Sequence, residues 1–154
     1  MVTAICGCVL PISEVTRGTM TVALRPAGSL AASAAVTSKI VDNQGHKYNA
    51  SLTMNITPAQ LATEIHTIEA LSGTQYDLIN YNCVNFSVAV MNAIRSTNPL
   101  VVPPMVSPEG TSLSNTPEGL YVALSRLKEA GGTDAPNIAL DVVNFAGNSH
   151  GPCN

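Results

Sequence analysis

The sequence predicts an α+β fold, a small antiparallel sheet packed against two or three helices. Three observations carry that expectation. Short apolar runs with two-residue alternation fill the first third, the spacing turns helical after Thr57-Pro58, and two Thr-Pro pairs mark helix starts. At 154 residues the chain has the length of one ordinary domain, able to bury a core without disulfides or metals. We read residues 1–154 as that single domain, with its core over 2–130 and a tail over 131–154.

Taken in order, Val2–Ile12 is apolar and reads as one buried strand. After a turn at Arg17-Gly18, Thr19–Leu24 alternates Met20, Val22 and Leu24 against Thr19, Thr21 and Ala23, and Arg25-Pro26-Ala27-Gly28-Ser29 breaks the run. Val36–Val41 meets the turn Asp42-Asn43-Gln44-Gly45, which should fold it back as a hairpin onto Lys47–Ile56. On that return strand Tyr48, Ala50, Leu52, Met54 and Ile56 share a face. Thr57 is a helix cap followed by proline at the first helical position, where no amide hydrogen is needed. Leu61, Ile65, Ile68 and Leu71 then form the apolar stripe, and Ser72-Gly73 ends it.

Tyr76–Asn82 is extended and leads to a second apolar segment from Cys83, with Val84, Phe86, Val88, Val90, Met91 and Ile94. Its β-branched content blurs local propensity, and its length argues for a buried helix. A long Pro-rich connection, Ser96–Asn115, precedes a third helix from Thr116-Pro117-Glu118 to Ala130, with Leu120, Leu124 and Leu127 on one face. Gly131-Gly132 ends it, and Ile138–Phe145 is a last strand or helix.

Hydrophobic residues make up 45% of the chain and charged residues 11%, less than half of the roughly 25% usual in soluble domains. Such a surface suits a secreted protein or one packed into a larger assembly, and localisation leans extracellular or to the cell envelope. A net charge of -3 and scattered Lys and Arg leave no basic footprint, which speaks against nucleic acid as a partner. No apolar run reaches the roughly 18 residues of a membrane span, and Val2–Ile12 lacks the basic leader of a signal peptide.

Cys6-Gly-Cys8 does not have zinc-knuckle spacing, and no second Cys/His pair completes a ligand set, so no metal and no cofactor are expected. Cys6 and Cys8 read either as small buried hydrophobes or as partners for Cys153 in a disulfide. Cys83 is different. A cysteine that opens an apolar helix sits beside unpaired amides and the positive end of the helix dipole, which favours thiolate. The same amides can hold an oxyanion, so Cys83 is a candidate nucleophile if a base lies close; otherwise it is a cysteine packing the helix start. Asn82 and Asn85 read as caps of that helix, and Tyr76 and Tyr81 as walls of a cleft or as packing. Asn49-Ala-Ser, Asn55-Ile-Thr and Asn85-Phe-Ser match the short glycosylation sequon.

The run Tyr76-Asp77-Leu78, then Asn82-Cys83, then Phe86 resembles the nucleophile helix of circularly permuted NlpC-type thiol hydrolases, relatives of lecithin:retinol acyltransferase in the papain-like superfamily. The order of neighbouring motifs is similar too: Asp42-Asn43-Gln44-Gly45-His46-Lys47-Tyr48, Ile56-Thr57-Pro58-Ala59-Gln60 and Asn115-Thr116-Pro117. The resemblance covers most of 7–130. It implies a permuted papain-like fold, bacterial relatives and a cysteine hydrolase in which Cys83 attacks an amide. The family also places a Gly-His pair on its first core strand. Here that position holds Gly7-Cys8, or Gly18-Thr19 in another register, and neither supplies an imidazole. Cysteine cannot stand in as a general base near neutral pH. His46 is then the candidate base; His66 lies between Ile65 and Ile68 on a helix, and His150 lies in the tail.

Two functions follow. One is a degenerate member serving as a binding or self-assembling structural unit, with a Cys83 thiol near the ordinary value of about 8.5. The other is an active amidase or peptidase on cell-wall peptide or a similar amide. Low charge also implies an oligomer, and the apolar residues within 99–108 are expected to touch another copy or a partner.

Overall fold

The computed structural model describes residues 2–5, 10–12, 20–26, 35–42, 45–106 and 112–146. Its elements are β1 (Val2–Ile5), β2 (Leu10–Ile12), β3 (Met20–Pro26), β4 (Val36–Asp42), β5 (Lys47–Met54), α1 (Pro58–Leu71), β6 (Gln75–Tyr76), α2 (Cys83–Ala93), β7 (Met105–Val106), β8 (Leu113–Ser114), α3 (Pro117–Glu129) and β9 (Ile138–Phe145). A single 3-10 turn, Ala135–Asn137, leads into β9. The class is α+β, with antiparallel pairing throughout the described strands.

The strands form two principal sheets, ordered β1-β5-β9 and β2-β3-β4-β6, and a short β7-β8 ribbon. Val2–Ile12 is therefore not one strand. Its first part pairs with β5 and its second with β3, so this segment contributes to both sheets. Pro11 falls on the outermost strand of its sheet, where a missing amide hydrogen is tolerated. β3 runs on through Arg25 and Pro26, past the expected break, with Pro26 in the last pair of its ladder opposite Ser38.

Among the described residues β4 and β5 do not pair as the expected hairpin. β4 pairs instead with β3 over Ser38–Asp42 and with β6 at Val36 and Thr37. The turn is tied elsewhere: Gly45, at φ +76, donates its amide to the Ala146 carbonyl at 2.9 Å, and Ala146 donates back to the His46 carbonyl at 2.9 Å. Those bonds continue the β5–β9 ladder, so β5 takes β9 as its neighbour.

Helix starts follow local chemistry. Thr57 and Gln60 exchange a capping box at α1, Thr57 Oγ1 accepting from the Gln60 amide at 3.2 Å and Gln60 Oε1 from the Thr57 amide at 2.9 Å. Thr116 caps α3 by accepting from the Gly119 amide at 3.0 Å. α2 is the most buried helix, with Val84, Phe86, Val90 and Met91 at zero exposure. It lies on β3 and β1, α1 packs against it, and α3 packs on β5 and β9. Ala50 and Leu52 of β5 and Ile138 of β9 join the same core, which thus extends past residue 130.

On α1 the buried stripe differs from the expected one. Ile65 is outside, and Glu64 is fully buried. At 100° per residue, Glu64 lies about 30° from the mean direction of Leu61, Ile68 and Leu71, whereas Ile65 lies about 70° away. The apolar spacing allowed both positions, and helix geometry centres on the acid.

The Pro-rich connection is pinned to the domain. The Asn92 side chain bonds both backbone groups of Leu100, accepting from its amide at 2.7 Å and donating to its carbonyl at 3.0 Å. Leu100 and Val102 turn inward while Val101 and Val106 stay out, so the described part of 99–108, residues 99–106, does not present all its apolar side chains to one side. A backbone that alternates like a strand sends alternate side chains to opposite faces.

Candidate functional site

Cys83 occupies the first position of α2, as the sequence predicts, and is 9% exposed. The segment before it is held both by a distant strand and by local bonds. β6 pairs Tyr76 with Val36 and Gln75 with Thr37, and the Ser38 hydroxyl donates to the Thr74 carbonyl. Asp77 and Tyr81 exchange backbone bonds at 2.8 and 3.0 Å. Inside that loop the Asp77 carboxylate accepts from the amides of Ile79 and Asn80 at 2.8 and 2.9 Å and from the Asn80 side chain at 3.0 Å. The Asn80 amide, the Asn80 side chain and the Ile79 amide hold this carboxyl below its ordinary range. Asp77 is thus a turn former at the mouth of the segment.

Asn82 then determines what the helix start can do. Its Oδ1 accepts from the amides of Val84 at 2.9 Å and Asn85 at 3.4 Å, and its own amide donates to Asn85 Oδ1 at 3.1 Å. Its Nδ2 donates to the carbonyls of Leu78 at 2.9 Å and Asn115 at 2.7 Å, joining the approach to α2 to the approach to α3. The capping roles of Asn82 and Asn85 are as expected, and they have a chemical consequence: the Val84 and Asn85 amides are already engaged. An oxyanion at Cys83 would have to compete for them.

The sulfur itself is engaged as well. Cys83 is disulfide-bonded, and the Tyr76 hydroxyl lies 3.8 Å from Sγ. A disulfide sulfur carries no thiolate, so in this state Cys83 is no nucleophile. The expected pairings named only Cys153 with Cys6 or Cys8, all of which lie outside the described residues.

His46 is exposed in the turn into β5, part of the sheet that ends in β9, whereas Cys83 follows β6 of the other sheet. His66 is on the exposed side of α1. His150 lies outside the described residues. Among the described residues no group of three or more His, Cys, Asp or Glu side chains is placed to hold a metal ion. No helix is long and apolar enough to cross a membrane among them either.

Two charged sites escaped the sequence reading. Glu64 has both carboxylate oxygens buried without a hydrogen-bond partner, and burial pushes it up to about 7. Helical geometry was the one signal that could have found it. Arg95 is buried at the end of α2 and paired with Asp134. Nothing local links those two residues, which are distant in sequence.

Comparison of the chain with protein families, with curated proteins and with solved structures finds no match.

Proposed function

We propose that the chain is a catalytically degenerate unit of the permuted papain-like kind, serving as a binding or self-assembling structural element rather than as a hydrolase. The state of Cys83 carries this reading: its sulfur is in a disulfide, almost buried, at a helix start whose next two amides are capped by Asn82. A stable disulfide suits the extracellular or envelope setting that the low charge suggests. The second reading, an amidase or peptidase with Cys83 as nucleophile and His46 as base, is favoured by Cys83 standing at the first helical position.

Iodoacetamide labelling with peptide mass spectrometry, across about pH 5–9, separates the two. We expect no label on Cys83 without reductant. After mild reduction we expect slow labelling that rises through the ordinary thiol range of about 8.5. Rapid alkylation of reduced Cys83 at about pH 6, lost in His46→Ala, would overturn the degenerate reading.

A further inference from the structure

We propose that a hollow between the end of α2, the start of the Pro-rich connection and the last turns of α3 binds a small organic acid, a monocarboxylate with a short hydrocarbon chain. The hollow measures about 250 Å³, and Leu100, Ala123 and Leu127 line it together with Arg95 and Arg126. Arg95 follows the last residues of α2, whereas Cys83 is the first residue of that helix. The hollow is therefore a site apart from the cysteine, and it stands whether or not Cys83 ever acts as a nucleophile.

Arg95 lacks an acceptor that such a ligand would bring. The residue is only 6% exposed, and a guanidinium has N–H groups on all three of its nitrogens. Nη1 and Nη2 bond the Asp134 carboxylate, and Nη1 also lies 3.4 Å from Met54 Sδ. Nε is buried with no partner. A buried donor left unpaired costs stability, which an oxygen seated against it restores. The Asp134 and Met54 contacts fix the guanidinium plane, so the direction of the free N–H is set before any ligand arrives.

Arg126 supplies the charge that selects an anion. It is exposed in the last turn of α3 and has no ion-pair partner among the described residues. None of the described residues lining the hollow is acidic, and Asp134 neutralises Arg95 alone. The carboxyl ends of α2 and α3 bring partial negative charge nearby, smaller than one full guanidinium charge, so the attraction is weakened but keeps its sign. The walls favour a hydrocarbon chain over a peptide. Pro99 has no amide hydrogen, and both backbone groups of Leu100 already bond Asn92, so the lining leaves a bound amide short of partners. At about 30 Å³ per water-sized group the hollow takes roughly eight non-hydrogen atoms, the size of hexanoate.

Proton–nitrogen correlation spectra of the full chain, titrated with hexanoate to about 20 mM, test this. We expect saturable shifts at the Arg95 Nε–H signal and at the Leu100 and Leu127 amides, with a Kd of about 1 mM. Hexanol, which keeps the chain and lacks the charge, should bind about fivefold more weakly, and Arg126→Gln should weaken hexanoate by a similar factor. Ala130→Phe, at an exposed position on the rim, should abolish the shifts while the rest of the spectrum stays in place. The absence of saturable shifts, or shifts that spare the Arg95 Nε–H, overturns the proposal. Equal binding of hexanol, or hexanoate binding unchanged by Arg126→Gln or by Ala130→Phe, overturns it as well. Tighter binding of N-acetyl-leucine than of hexanoate would overturn the free acid in favour of a peptide carboxyl terminus.

Discussion

Arg95 and Asp134 face each other through two hydrogen bonds, Nη1 to Oδ1 at 3.2 Å and Nη2 to Oδ2 at 2.9 Å, with side chains only 4% and 14% exposed. The pair joins the end of α2 to the segment before β9, and Asn98 adds a bond to the same carboxylate at 3.2 Å. Removing one member leaves the other charge buried alone. Asp134→Ala should therefore cost about 3–5 kcal/mol in urea unfolding, whereas the joint replacement Arg95→Met with Asp134→Leu should cost far less. Equal losses from the single and double replacements would show that an unpaired guanidinium is not the source of the cost.

Glu64 makes stability depend on pH in the direction opposite to most carboxylates. Its folded value of about 7 lies above the ordinary 4.5, so the folded chain holds a proton that the unfolded chain releases between those values. Stability should fall as pH rises through that window and level off above it, by about 3 kcal/mol in total. Asp77, shifted downward, acts at lower pH and leaves the window to Glu64. Glu64→Met should flatten the profile and raise the urea midpoint at pH 8. A wild-type midpoint that does not change from pH 5 to pH 7.5 would contradict this origin.

Gly119 sits in the first turn of α3 with no room for a methyl group. A Cβ there would lie 2.5 Å from the Pro103 carbonyl oxygen and 3.2 Å from both Met105 Cγ and Val102 Cγ1. Alanine is the better helix former by about 1 kcal/mol, yet the clash is with backbone. Gly119→Ala should be destabilising by about 1–3 kcal/mol in thermal unfolding. Amide exchange should quicken at Val102 and along Met105–Val106, where the connection is pressed from its seat.

What was readable in the residues was local. Thr57, Asn82 and Thr116 cap helices through atoms three residues away or fewer, so the three helix starts could be placed without knowing the fold. The apolar face of β5 was readable for the same reason, and Ala50 and Leu52 are buried on it; the burial of Ser51 between them was not. The partition into sheets was not, because an Asn-Gln-Gly turn suggests a hairpin and only Ala146, 100 residues on from His46, shows where its bonds go. Glu64 was hidden because an apolar stripe leaves two positions open and attention goes to Ile65. At the candidate site, Cys83 and its capping asparagines were visible, but the disulfide was not, since four cysteines allow several pairings and spacing selects none.

The placement of β5 between β1 and β9 bears on how the chain reaches its fold. Its partners on one side lie 46–52 residues earlier, from Ile5–Ser51 to Val2–Met54, and on the other 86–98 residues later, from Leu52–Ile138 to Lys47–Phe145. Closing loops of that size precedes any reward from the contacts they make, so this sheet should be the slow step of folding. The α1–α2 pair needs only a short connection and can dock early. Until β9 arrives, the inner strand Lys47–Met54 has one side unpaired, and during that interval the growing chain is most open to pairing with a neighbour.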